Sequence, residues 1–165
     1  EGKLSAVATG ETAQQAGARQ KVTKENAAKA LEKFTSGLKE FRANDFGVAV
    51  DGFSVAVRLD PAKAQYQYYL GICLLNIARR RGDAEEPLRK ALELDATKQE
   101  HHLELGSFYL KNGQKAKGLG ILNNALMRFP DAQKLKDAIK AAGGTVVESA
   151  AEEKKSGMFS KLFKK

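Results

Sequence analysis

The chain has 165 residues, 42% of them hydrophobic and 29% charged, with a formal net charge of +8. That is enough for one domain with a real core, and the basic balance favours acidic proteins, anionic lipid or nucleic acid as partners without choosing among them. The single cysteine, Cys73, excludes an internal disulfide; no apolar run approaches the length of about 18 residues that a membrane span needs, and no secretory-signal core is visible.

Residues 1–22 are rich in Ala, Gly, Gln, Thr and Ser. They can bury little surface, so a flexible or loosely helical segment is expected. Thr23 is a candidate N-cap for a helix to about Ala43, with Ala27, Leu31, Phe34, Leu38 and Phe41 on one stripe. Asn44 and Asp45 make a turn, and a second helix runs from Phe46 to about Leu59. Asp60 as cap and Pro61 at the first helical position then open a helix to about Arg79, carrying Tyr66, Tyr68, Tyr69 and Leu70. Gly82 and Asp83 end the next turn. Asp83 and Glu86 have the spacing of a capping box, and Pro87 lies in the first turn, where proline is tolerated.

Leu103, Gly106, Tyr109 and Leu110 again have helical spacing, broken at Lys111-Asn112-Gly113-Gln114. Leu119, Leu122, Ala125 and Leu126 form another run, stopped by Phe129-Pro130. Asp131 is a candidate cap for a last helix through Leu135 and Ile139 to Ala142, with Gly143 and Gly144 as the stop. Gln133, Lys134, Lys136 and Lys140 give that helix a polar outer face. Residues 145–156 have a linker composition. At the end of the chain, Met158, Phe159, Leu162 and Phe163 fall within an arc of about 140° on a helical wheel, opposite Lys161, Lys164 and Lys165. So short a helix is marginal alone in water and is expected to fold only against something.

One pattern recurs along this series. Gly106 and Tyr109 have counterparts in Gly71 and Leu74, and Ala125 in Ala91 and Ala56. The run Ala56-Val57-Arg58-Leu59-Asp60-Pro61 parallels Ala91-Leu92-Glu93-Leu94-Asp95-Ala96. Gly37, Leu38, Phe41, Ala49 and Phe53 complete the first copy. A period of about 34 residues, with small residues at fixed places, is a solenoid signature. On Leu105, Gly106, Tyr109, Leu122, Ala125 and Pro130, with Leu70, Gly71, Leu74, Ala84, Leu88 and Ala91 before them, the chain resembles the tetratricopeptide-repeat family. The resemblance implies an all-α fold, a right-handed superhelical solenoid of antiparallel helix pairs. Its units would span about 30–63, 64–97 and 98–131, followed by a capping helix at 131–142. The domain would then cover 23–143, between the flexible 1–22 and a linker and basic tail at 144–165.

The residues suggest no catalysis, cofactor or metal. His101 and His102 are adjacent on a helix and point to different faces, without a third ligand at metal spacing. Ser36 and Ser107 have no recognisable base, and Gly113 and Gly118-Leu119-Gly120 follow no strand. The family likeness instead implies a concave groove lined by the first helix of each pair. Carried over by position, that surface is Thr35, Lys39 and Arg42 in the first unit and Tyr68, Tyr69, Ile72, Leu75 and Asn76 in the second. In the third it is Leu103, Ser107, Leu110 and Lys111. Apolar shelves with cations would suit a partner protein's peptide or amphipathic helix bearing acidic residues. The same residues could instead pack against the N-terminal segment or a neighbouring subunit of a homo-oligomer. Family members that grip a chaperone's acidic C-terminus use basic residues and an Asn where this chain has Glu100, Glu104 and Tyr69, and two carboxylates there argue against that ligand. The tail at Met158, Phe159, Lys161, Leu162, Phe163, Lys164 and Lys165 is a second candidate, for an anionic membrane surface or a second protein. Arg79-Arg80-Arg81 and Lys90 read better as a solvated turn than as a nucleic-acid site, since no aromatic residues interleave with them. The expectation is a non-enzymatic adaptor, cytoplasmic or peripheral at a membrane.

Overall fold

A computed structural model describes residues 13–146, with side chains described from residue 23 onward. Helices α1 (Ala13–Arg42) and α2 (Phe46–Leu59) form the first antiparallel pair. Next come α3 (Ala64–Leu75), a 3-10 segment (Ala78–Ala84) and α4 (Glu85–Leu94). The third pair is α5 (Gln99–Lys111) and α6 (Lys115–Arg128), and α7 (Gln133–Ala141) closes the row against α6 and α5. No strand occurs among the described residues, and each helix packs on its neighbours in sequence, as a helical solenoid requires.

The recurring small residues lie in the seams between paired helices. A Cβ on Gly71 would stand 2.7 Å from the Leu88 side chain, and one on Gly106 would stand 2.7 Å from Leu122. In the first pair a Cβ on Gly37 would meet the Phe53 ring at 2.9 Å. Phe53, Leu88 and Leu122 are fully buried, as are Ala56, Ala91 and Ala125. One pairing of glycine with a large apolar side chain is thus repeated three times. A mid-helix glycine costs about 1 kcal/mol against alanine, and here the missing side chain is the space that the partner helix fills. The first pair comes closer still, because a Cβ on Gly52 would lie 3.1 Å from the Gly37 Cα.

Two further joints hold pair to pair. The Phe34 ring lies 4.7 Å from that of Tyr66 and meets Tyr69 edge-on at 5.4 Å between ring centroids, tying α1 to α3. Tyr68 and His101 lie 5.0 Å apart, tying α3 to α5. His101 Nδ1 lies 2.8 Å from the Asp95 carbonyl and His102 Nε2 3.1 Å from that of Ala96. A carbonyl only accepts, so each ring nitrogen donates, and both histidines clasp the turn before their own helix. Cys73 is fully buried, its thiol 3.2 Å from the Phe46 carbonyl, and burial pushes its pKa up to about 11, which leaves it a poor nucleophile.

Several sequence expectations are corrected at helix ends. The first helix starts at Ala13, ten residues before the expected cap, and Thr23 lies in its interior. Ala, Gln, Arg and Lys between 13 and 21 are good helix formers, and helicity there extends from the packed part of α1. Asp60 closes α2 by donating its backbone N–H to Ala56, and Pro61 stands in the turn rather than in the helix. The third helix stops at Leu75, not near Arg79. Asn76 donates its amide to the Ile72 carbonyl, Arg81 Nε donates to the Leu75 carbonyl at 3.1 Å, and Ile77 is extended. The capping box at Asp83 does not form, because Asp83 pairs with Arg80 at 3.1 Å and Ala84 takes the cap position. Ala132, not Asp131, precedes α7. The turn ends are conventional: Asn44 (φ 61°) and Gly113 (φ 75°) are left-handed, and the next residue bonds back to Glu40 and Tyr109.

Candidate interaction groove

Between α3 and α5 lies a hollow of about 540 Å³. Helical spacing puts Tyr68, Ile72, Leu75 and Asn76 on one face of α3, and Glu104, Ser107, Phe108 and Lys111 on the facing side of α5. Arg81, delivered by the 3-10 segment, and Asn112 close one end. The hollow continues across α5 toward α7, where Ser107, Leu110 and Lys111 face Ala138, Ala141 and Ala142 around a further 600 Å³.

The walls are apolar in the middle and charged at the ends. Ile72 and Leu75 are half-buried, and Phe108 is almost fully buried beneath them. Glu104 is half-buried, and loss of water holds its carboxyl above the usual carboxylate range, although Lys111 and Lys134 pull the other way. Among the described residues it makes no ion pair within 4.0 Å. Burial and the negative field of Glu104 and Glu100 push the Tyr68 phenol up to about 12. Such a surface can seat apolar side chains and meet charge at either end.

Six residues expected from sequence meet here: Tyr68, Ile72, Leu75, Asn76, Ser107 and Lys111. Leu110 faces the continuation toward α7, and Leu103 packs against the cluster of Leu122, Leu126, Leu135 and Ile139. Tyr69 turns inward, 6.0 Å from Phe41 and 5.8 Å from Phe53. Thr35 donates to the Leu31 carbonyl of its own helix, and Lys39 and Arg42 stand exposed at the end of α1, outside the hollow. Arg81, Phe108 and Asn112 join them without a signal in the repeat pattern. The family likeness marks Glu104 only as a repulsive group, yet it stands three residues before Ser107 and seven before Lys111, a period that marks it as the same face. The tail from Met158 to Lys165 lies outside the described residues. Among the described residues no helix is long and apolar enough to cross a membrane, and no three His, Cys, Asp or Glu side chains gather as a metal site would require.

No protein-family model and no curated protein matches the chain. Solved structures do match its fold. An Arabidopsis domain, the OM64 TPR domain, is similar with a TM-score of 0.65 and 20% identity, over 71% of this chain and 96% of that one. The second TPR domain of human RPAP3, solved in complex with the HSP70 peptide SGPTIEEVD, is similar with a TM-score of 0.64 and 15% identity, over 74% of this chain and 99% of that one. The fold is that of a tetratricopeptide-repeat domain.

Proposed function

We propose that this tetratricopeptide-repeat fold serves as a non-enzymatic adaptor that holds a partner protein's segment in the hollow between α3 and α5. The observation that carries the reading is the half-buried shelf of Ile72 and Leu75, left uncovered beside charges of both signs. A solenoid leaves such a surface free because its core is used up between neighbouring helices. The similar RPAP3 domain carries a peptide, which supports a peptide ligand as a class. The ligand of this chain differs in charge, because SGPTIEEVD brings three acidic side chains and Glu100 and Glu104 repel them. Affinity capture followed by mass spectrometry tests the reading. Ile72→Asp should remove the captured partner, while Asp51→Lys on the exposed side of α2 should leave it bound. Equal capture by both variants refutes it.

The tail supports a second contact. Its four apolar side chains opposite three lysines have the pattern of an interfacial helix. Each lysine near an anionic leaflet contributes about 1 kcal/mol, so attachment is weak and reversible. Removing residues 157–165 should abolish sedimentation with phosphatidylserine vesicles; unchanged sedimentation rejects this role.

A further inference from the structure

We infer that the hollow is polarised and selects a helical partner segment of mixed charge, with a cation two turns from an anion and an apolar side chain between them. This inference rests on the groove reading above and names the chemistry of its ligand. Helices α3 and α5 hold matching positions in consecutive units, so the charges along them can be ordered. Toward the N-terminal end of α5 stand Glu100 and Glu104, with the Tyr68 phenol in their field. Toward the C-terminal end stand Lys111 and, beyond the end of α3, Arg81. Ile72 and Phe108 lie between, and Leu75 stands beside the basic end, its carbonyl bonded by Arg81.

Part of this order has an ordinary cause. Glu100 in the first turn of α5 and Lys111 in the last complement the helix dipole. Glu104 does not share that cause. It is mid-helix, half-buried, raised in pKa by loss of water against the pull of Lys111 and Lys134, and without an ion pair among the described residues. A carboxylate held this way lowers the stability of the free protein and gains most when a cation docks on it. Glu104 and Lys111 are seven residues apart, about 10 Å along the axis. A ligand helix repeats that spacing on one face between positions i and i+7, with an apolar residue at i+4. An extended strand places same-face residues about 7 or 13 Å apart, on either side of the required distance.

The test uses alanine-based helical peptides of about 15 residues, each with leucine four positions after the first charge and the second charge three positions later. The pairs are lysine and glutamate, two lysines, and two glutamates, titrated by fluorescence anisotropy against the full chain. The wild type should prefer the mixed peptide about fivefold over either like-charged one. Glu104→Lys should move the preference to the two-glutamate peptide, and Lys111→Glu to the two-lysine peptide, with circular dichroism unchanged. Tightest binding of a like-charged peptide to the wild type, or the same ranking in all three proteins, overturns the polarity and leaves the groove reading standing if Ile72→Asp still abolishes binding. Binding that Ile72→Asp does not weaken, or no binding of any peptide at about 1 mM, overturns both.

Discussion

Helices α3 and α5 each carry two faces that follow different rules. The seam face of α5 is fixed by sterics: Gly106 meets Leu122 with no room for a methyl group, and the same arrangement holds at Gly71 and Leu88. The open face, within the eight residues of α5 from Glu104 to Lys111, holds a carboxylate, a hydroxyl and an ammonium with little mutual pairing. One face is optimised for folding. The other keeps groups, Glu104 above all, that folding alone would not select. The difference teaches that substitutions should separate cleanly into those that unfold the chain and those that only change what it holds.

The largest effect belongs to the seam. Leu122→Ala leaves a cavity and should cost about 2–5 kcal/mol, read by urea denaturation. Gly106→Val overpacks the same joint from the other side and should cost about 1–3 kcal/mol, with Gly71→Val behaving alike. If either glycine accepts valine at no cost, the seam is not closed and the comparison fails. Loss of the Arg81 bond to the Leu75 carbonyl is smaller: Arg81→Ala should cost about 1 kcal/mol or less, and should loosen the end of α3 by hydrogen exchange.

The groove face should respond with the opposite sign. Glu104 has a folded-state pKa above its ordinary value, so the folded chain binds its proton more readily than the unfolded chain. Its contribution to stability therefore falls as pH rises through the ordinary carboxylate range and then through the raised value. At neutral pH Glu104→Gln should raise the melting temperature slightly, and the gain should vanish in acid below the unfolded carboxylate pKa. Capture of a cationic ligand runs the other way, since it needs the ionised carboxylate, and should weaken as pH falls through the raised value. A variant that is less stable than wild type at pH 7 would show that Glu104 serves the fold.

The seam was legible in the sequence because it is a local steric code: a glycine, then a large apolar residue on the next helix, then the same again about 35 positions on. Helix ends were less legible because several donors and acceptors compete within a few residues. Asp83 fits a cap by spacing, but its carboxylate pairs with the charged Arg80 instead. Nor does spacing alone show where α3 stops; that depends on Asn76 and Arg81 taking up its last carbonyls. In the groove, Tyr68 and Tyr69 differ by one position and hence by about 100° on the helix. That rotation sends Tyr69 into the aromatic core with Phe34 and Phe41, while Tyr68 stays at the surface of the hollow. Lys39 and Arg42 were carried over from a repeat pattern onto α1, and nothing in the sequence showed that the hollow would form one pair further along.

The central claim is that the shelf between α3 and α5 receives the partner while the seams only hold the solenoid together. The most direct measurement is a 15N–1H correlation spectrum of the chain titrated with the mixed-charge helical peptide. The account predicts shifts concentrated at Tyr68, Ile72, Asn76, Glu104, Ser107 and Lys111. Shifts confined to the exposed positions Asp51, Lys90 and Met127 of α2, α4 and α6 would contradict it.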